Sequence, residues 1–161
     1  MGLEQRQDDA RGLRSREIVG DTLFLVLNNT LAAVEDGRLE IVNFLGPLAP
    51  LAQNRLEVLF EELVSNIVRH GFERGSSQSI HVRAEKSAEA ITLTFEDDGV
   101  PFNLLETAPP KPFTDIEAAP VGGLGISLIR KMSSALRYER LVPSQTGDFR
   151  PCNRVAASIA I

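Results

Sequence analysis

The sequence predicts an α+β domain, a two-layer sandwich of helices on one face of a mixed, largely antiparallel sheet. Three observations carry that prediction. From Leu51 to His70, the positions Leu56, Leu59, Phe60, Leu63 and Ile67 follow i, i+3, i+4 spacing and form the apolar stripe of one long helix. Ile80-Val82-Ala84 and Ile91-Leu93-Phe95 alternate with polar residues, as two half-buried strands joined by a polar turn do. The length, 161 residues, suits one domain, and no internal repeat divides it.

Residues 1–20 mix Glu, Gln, Arg and Asp with few apolar positions and read as a mobile tail, leaving 21–161 as the single domain. Leu23 to Leu27 is an apolar run suited to a strand, and Asn28, Asn29 or Thr30 is placed to cap a helix over Leu31 to Phe44. Gly46-Pro47 and Pro50 break the chain before the long helix, and Gly71 stands where a C-terminal glycine cap belongs. Residues 103–121 lack apolar periodicity and carry Pro109, Pro110, Pro112 and Pro120, the composition of a functional lid or a disordered segment. Gly122-Gly123 then opens a helix with Leu124, Leu128, Ile129 and Met132 on its inner side. Strands over Leu136 to Val142 and Val155 to Ile161 finish the chain. The pairing order of the strands is left open.

Composition excludes several classes. With a net charge of −5 and scattered basic residues there is no electrostatic footprint for nucleic acid. Apolar runs fall short of the roughly 18 residues a membrane span needs, and no secretory leader is visible, so a cytoplasmic location is expected, without a membrane partner. Cys152, the single cysteine, rules out an internal disulfide and a cysteine-rich zinc site.

The chemistry gathers in three short stretches. Glu62, Asn66 and His70 are spaced by four, so each advances about 40° around a helix and roughly 6 Å along it, beside the apolar stripe. Asn66 offers a neutral carbonyl oxygen suited to a magnesium ion otherwise held by water and phosphate, and Glu62 is placed to accept a proton. The alternative for both is a solvated polar flank. His70 projects into the stripe and reads first as a partly buried structural histidine, while Glu61 and Arg69 face solvent. Asp97 continues the register of Ile91, Leu93 and Phe95, so its carboxylate faces inward, where it is costly without a partner. A purine amino group would supply a donor, and Gly99 lets a flat base approach the backbone. Asp98, on the other face, is turn chemistry. Gly122, Gly123 and Gly125 open a helix whose N–H groups and dipole favour an anion such as phosphate. Neither G-x-x-x-x-G-K-[ST] nor G-x-G-x-x-G occurs. Lys111, the only lysine of the loop, is a candidate phosphate contact.

These stretches resemble the boxes of the Bergerat-fold ATPases, the GHKL superfamily of gyrase, Hsp90, histidine kinases and MutL. Glu62-x-x-x-Asn66-x-x-x-His70 looks like the N box, Asp97-x-Gly99 the G1 box and Gly123-x-Gly125 the G2 box. The resemblance is nearest to the small anti-sigma-factor serine kinases of the RsbW type, through Asp97 to Phe102, Gly122 to Ile126, Tyr138 and Asn153-Arg154-Val155. It implies a Bergerat ATP-binding fold and a nucleotide site for ATP and Mg²⁺. In that site Asn66 would hold the metal, Glu62 would be the catalytic base, Asp97 and Gly99 would bind adenine, and Gly123 and Gly125 would contact phosphate. Phe102, Gly122 and Leu124 complete the nucleotide-binding set. The resemblance further implies a protein-serine kinase acting on a STAS-type anti-sigma-factor antagonist in competition with a sigma factor, and a homodimer. Two departures stand out: Ile67 replaces the usual alanine after Asn66, and Asn103-Leu104 stands where Asp-Pro commonly follows the Pro-Phe pair. A catalytically idle, ATP-dependent partner switch stays open as a second reading. So does a free-standing histidine-kinase-like domain, although His70 and His81 are the only histidines and neither lies on a phosphoacceptor helix.

Overall fold

The computed structural model describes residues 11–72, 79–108, 124–142 and 151–161. Six strands and three helices follow in the order β1 (Leu13–Val19), β2 (Thr22–Asn28), α1 (Ala32–Leu45), α2 (Pro50–Asn66), β3 (Ser79–Lys86), β4 (Ala90–Asp97), α3 (Leu124–Met132), β5 (Ala135–Leu141) and β6 (Cys152–Ala160). The strands form one sheet in the order β1-β2-β3-β4-β6-β5. Every ladder among the described residues is antiparallel, so the expected mixture with parallel strands is absent there. No helix of the described residues is long and apolar enough to cross a membrane.

Alternation along the strands decides which face is covered. Leu23, Leu25 and Leu27 of β2, Ile80 and Val82 of β3, Ile91, Leu93 and Phe95 of β4, and Val155, Ala157 and Ile159 of β6 are all buried. They meet Ile41 of α1 and Leu56, Leu59, Phe60, Leu63 and Val64 of α2 in one cluster. Each buried leucine of this kind contributes about 1.5–3 kcal/mol relative to exposure. Phe60 and Phe95 join the layers, their ring centroids 5.8 Å apart at 44°. The opposite face carries Phe24, His81, Arg83, Glu96 and Arg154 around an open groove.

Two local expectations change. Residues 13–19 are not tail but the edge strand β1, paired along β2 from Leu13↔Leu27 to Val19↔Thr22. Of its three apolar residues only Leu13 is partly buried while Ile18 and Val19 are exposed, so no apolar alternation marks it as a strand. Backbone ladders and polar ties hold it instead. Asp36 Oδ2 accepts from the N–H groups of Gly12 (2.7 Å) and Leu13 (3.2 Å), and Arg14 Nε donates to Asn28 Oδ1 (3.0 Å). Residues 1–10 lie outside the described residues, as does the Gly75-Ser76-Ser77 turn. Among the described residues no side chain caps the start of α1, and Asn29 Oδ1 and Thr30 Oγ1 are buried with no partner.

The long helix opens with Pro50 in its first turn, where a missing N–H costs nothing. After Asn66 the chain continues as a π-helical turn over Ile67–Gly71. Gly71 is therefore not a left-handed cap, and its φ is not positive. Such a turn accommodates an extra residue and rotates whatever follows it, and π-bulges recur at functional sites.

Candidate functional site

Where α2 passes into the π-turn, the ends of β4 and β6 and the segment after β4 enclose a cleft of about 400 Å³, including its solvent-open mouth. Its lining comes from Leu63, Asn66, Ile67, His70 and Gly71 on the helical side and from Asp97, Val100, Phe102 and Leu104 after the strand. Asn153 and Val155 of β6 complete it. Sequence reasoning had placed Asn66, Asp97 and Phe102 in one site, and the fold brings these three together.

Asp97 faces inward as its register demands, opposite Ile80 on one side and Asn153 on the other, and is 5% exposed. Its Oδ1 accepts from the Gly99 N–H (2.9 Å) and from Asn153 Nδ2 (3.0 Å). Among the described residues, no donor reaches Oδ2. Burial holds this carboxyl above the usual aspartate range, opposed by the hydrogen bonds from Asn153 and Gly99 and by the Arg140 charge. A buried carboxylate with one engaged oxygen and one open oxygen, lining a cleft, is built to receive a donor from outside.

Asn153 is the residue that sequence reasoning missed as a working part, although it lay in a segment noted for its resemblance. Its amide also donates to the Val100 carbonyl (2.9 Å), and its Oδ1 accepts from Tyr138 Oη (2.8 Å) and Arg140 (2.8 Å). Arg140 reaches on to the Gly99 carbonyl at 3.0 Å. Thus β5 and β6 fix the orientation of both the acid and the turn behind it. The available signal was an inward polar position opening the alternation Asn153, Val155, Ala157, Ile159.

The π-turn supplies the floor. The Gly71 carbonyl accepts from the Val100 N–H at 2.8 Å. A Cβ on Gly99 would collide with that same backbone carbonyl, so the glycine at 99 answers to the π-turn as well as to a ligand. Ile67 is 8% exposed and lines the cleft beside Gly71. Ile67, the residue that departs from the family's alanine, thus forms part of the site's wall. His70 is exposed at the cleft rim rather than partly buried in the stripe, because the π-turn carries it off the α-helical register.

Leu104, 2% exposed, is the second departure from the family pattern, and it closes the cleft from the loop side. Asn103 shapes that bend, its Oδ1 accepting from the Leu105 N–H (3.0 Å) and its amide donating to Glu106 (2.9 Å). Arg130 of α3 then ties the segment down, donating through one nitrogen to the carbonyls of Leu104 (2.9 Å), Leu105 (3.1 Å) and Thr107 (2.6 Å). Phe102 remains 41% exposed at the lip.

Glu62 and Asn66 are half-buried along α2, one helical turn apart, and α3 packs against that helix. Glu62 lies against Gly125, the second residue of α3, while Leu124 at its first position is 51% exposed. Gly122, Gly123, Lys111 and loop residues 109–121 lie outside the described residues. No group of three His, Cys, Asp or Glu able to cage a metal occurs among the described residues. A magnesium ion here would rest on phosphate and water with one neutral protein oxygen, for which Asn66 is suited.

An inward acid with a free acceptor, a glycine bend behind it and a helix start facing a carboxylate-bearing helix define a nucleotide-binding α+β domain without a Walker loop. The chain belongs to the histidine kinase-like ATPase domain family, which matches residues 27–148. Membership makes it an ATP-binding domain. It is 28% identical over 85 residues to the serine/threonine-protein kinase BtrW of Bordetella bronchiseptica, across 53% of this chain and 60% of that protein. The matched part thus falls short of two thirds of that relative. A solved histidine kinase domain from the Erythrobacter litoralis EL346 blue-light activated histidine kinase is similar over 96% of this chain and 69% of that one. Its TM-score is 0.43 and its identity 17%.

Proposed function

We propose that this protein is a Mg-ATP-dependent protein-serine kinase that phosphorylates a STAS-type anti-sigma-factor antagonist. In its nucleotide-loaded form it sequesters a sigma factor, acting as a homodimer in the cytoplasm. The observation that supports this most is the position of Glu62. It is a half-buried carboxylate one turn before Asn66, seated on the first turn of α3, where the phosphate chain of a nucleotide whose base is held at Asp97 would run. The similarity to BtrW, a protein-serine/threonine kinase, points the same way.

In this reading Asp97 Oδ2 accepts from the purine amino group, and Asn153 and the Gly99 N–H hold the carboxylate in that attitude. Leu104 and Val155 exclude water from the base. Magnesium, when bound, neutralises phosphate charge. Asn66 offers it an oxygen. The partner's serine oxygen forms the new P–O bond, the bond between the β–γ bridging oxygen and the γ-phosphorus breaks, and the serine proton passes to Glu62 as ADP leaves. Phosphoryl transfer asks the protein for positioning and charge stabilisation more than for covalent help.

Transfer from labelled ATP to candidate STAS proteins tests the reading. Wild-type protein is expected to label a serine, and Glu62→Ala to lose about 10²–10⁴-fold in rate while ATP affinity stays within about threefold. No labelling of any STAS protein by wild type would overturn the kinase reading, and intact ATP binding beside it would leave a partner switch.

A further inference from the structure

We propose that Gly125 is a positioning residue whose missing side chain seats the Glu62 carboxylate. This rests on Glu62 being the base, and it goes beyond a glycine that merely admits phosphate. A Cβ built on Gly125 finds only Glu62 within 4 Å among the described residues. It overlaps Oε2 and lies 3.5 Å from Cδ. The backbone does not demand glycine there, since the φ of Gly125 is not positive and the residue is the second of a nine-residue helix. In a helix, alanine would be the better former. What the glycine preserves is therefore the resting place of one carboxylate.

The consequence for rate follows from the size of the overlap. An alanine at 125 pushes the carboxylate back by about 1 Å, and misplacement on that scale costs on the order of 100-fold in a reaction that depends on alignment. Glu62 is the end of a flexible side chain, so it yields without unfolding the domain. The base-binding end, built on Asp97 and Asn153, stays in place.

The experiment is a double-mutant cycle read in two ways. In Gly125→Ala, kcat for phosphotransfer should fall about 100-fold while the Kd for Mg-ATP moves by less than about threefold. In a Glu62→Asp background, where the side chain is one methylene shorter, the further loss caused by Gly125→Ala should shrink to a few-fold. Melting temperatures supply the second reading and need no transfer. Gly125→Ala should raise Tm more in a Glu62→Ala background than in wild type, since only wild type carries the overlap. Coupled Tm values beside a wild-type protein that phosphorylates nothing would uphold the seat and defeat the kinase reading. Additive Tm values, or a Kd for Mg-ATP that collapses along with kcat, would overturn the inference and return Gly125 to the role of phosphate contact.

Discussion

Replacing Asp97 by asparagine keeps the shape of the side chain and reverses the chemistry of one atom. Oδ1 can still accept from the Gly99 N–H and Asn153, but the open oxygen becomes an amide that donates. A purine amino group then meets a donor where it needs an acceptor. The lost hydrogen bond to a charged group is worth about 1.5–3 kcal/mol, and stranding two donors in a buried site adds about 1–3 kcal/mol. At 1.4 kcal/mol per decade, ATP affinity should fall roughly 10²–10⁴-fold. Stability should move the other way. Burial holds the native Asp97 carboxyl above its ordinary range, so the folded protein binds its proton at a pH where the unfolded chain has released it. The contribution of Asp97 to stability is thus most favourable below about pH 4. It declines as pH rises through the native pKa, above which the charged form is a net cost. Asp97→Asn removes that cost, so its Tm relative to wild type should rise with pH and the decline with rising pH should flatten. Calorimetric titration with Mg-ATP, paired with melting curves across the acidic range, reads both effects. An Asp97→Asn protein that binds ATP within about threefold of wild type would refute the assignment of Asp97 to the base.

Three further perturbations test the frame around that acid. Gly99→Ala sets a Cβ against the rigid Gly71 carbonyl and should cost about 1–3 kcal/mol, lowering Tm by about 2–4 °C per kcal/mol. An unchanged melting point would show that the π-turn is free to move aside. Asn153→Ala removes the foremost of the contacts holding the Asp97 pKa down, so that pKa should climb further. ATP affinity should then be lost at a higher pH than in wild type as the solution is acidified, and overlapping Kd-against-pH profiles would contradict this. Arg130→Met frees the carbonyls of Leu104, Leu105 and Thr107, so amide exchange over residues 103–107 should quicken by about tenfold or more. Exchange at the wild-type rate would mean that Asn103 alone holds the bend.

How legible this was depends on where the information lies. The α2 stripe and the alternation of β3 and β4 are local patterns, and all three elements stand within a few residues of their expected limits. The inward register of Asp97 follows from the same alternation. β1 was invisible because it is held by backbone pairing and by Asp36 and Arg14, and its apolar residues Leu13, Ile18 and Val19 follow no strand alternation. The π-turn was invisible too, since Ile67 and His70 continue the α-helical spacing on paper and only the folded backbone inserts the extra residue. Asn153 could not be joined to Asp97 without the β4–β6 ladder, which links positions 56 apart in sequence. The seating of Glu62 on Gly125 likewise depends on the packing of α2 against α3, which no spacing rule encodes.

The edge strand carries a consequence for how the domain can be handled. β2 presents Leu23, Leu25 and Leu27 to the core and Phe24 to the open face, a run of high strand propensity with no charge between Thr22 and Leu27. β1 covers its flank with Arg14, Arg16 and Glu17, the kind of charged border that discourages intermolecular pairing. A version trimmed to begin at Gly20 would keep every residue of the nucleotide cleft yet bare that sticky flank to its neighbours. Its failure would be precipitation rather than loss of affinity.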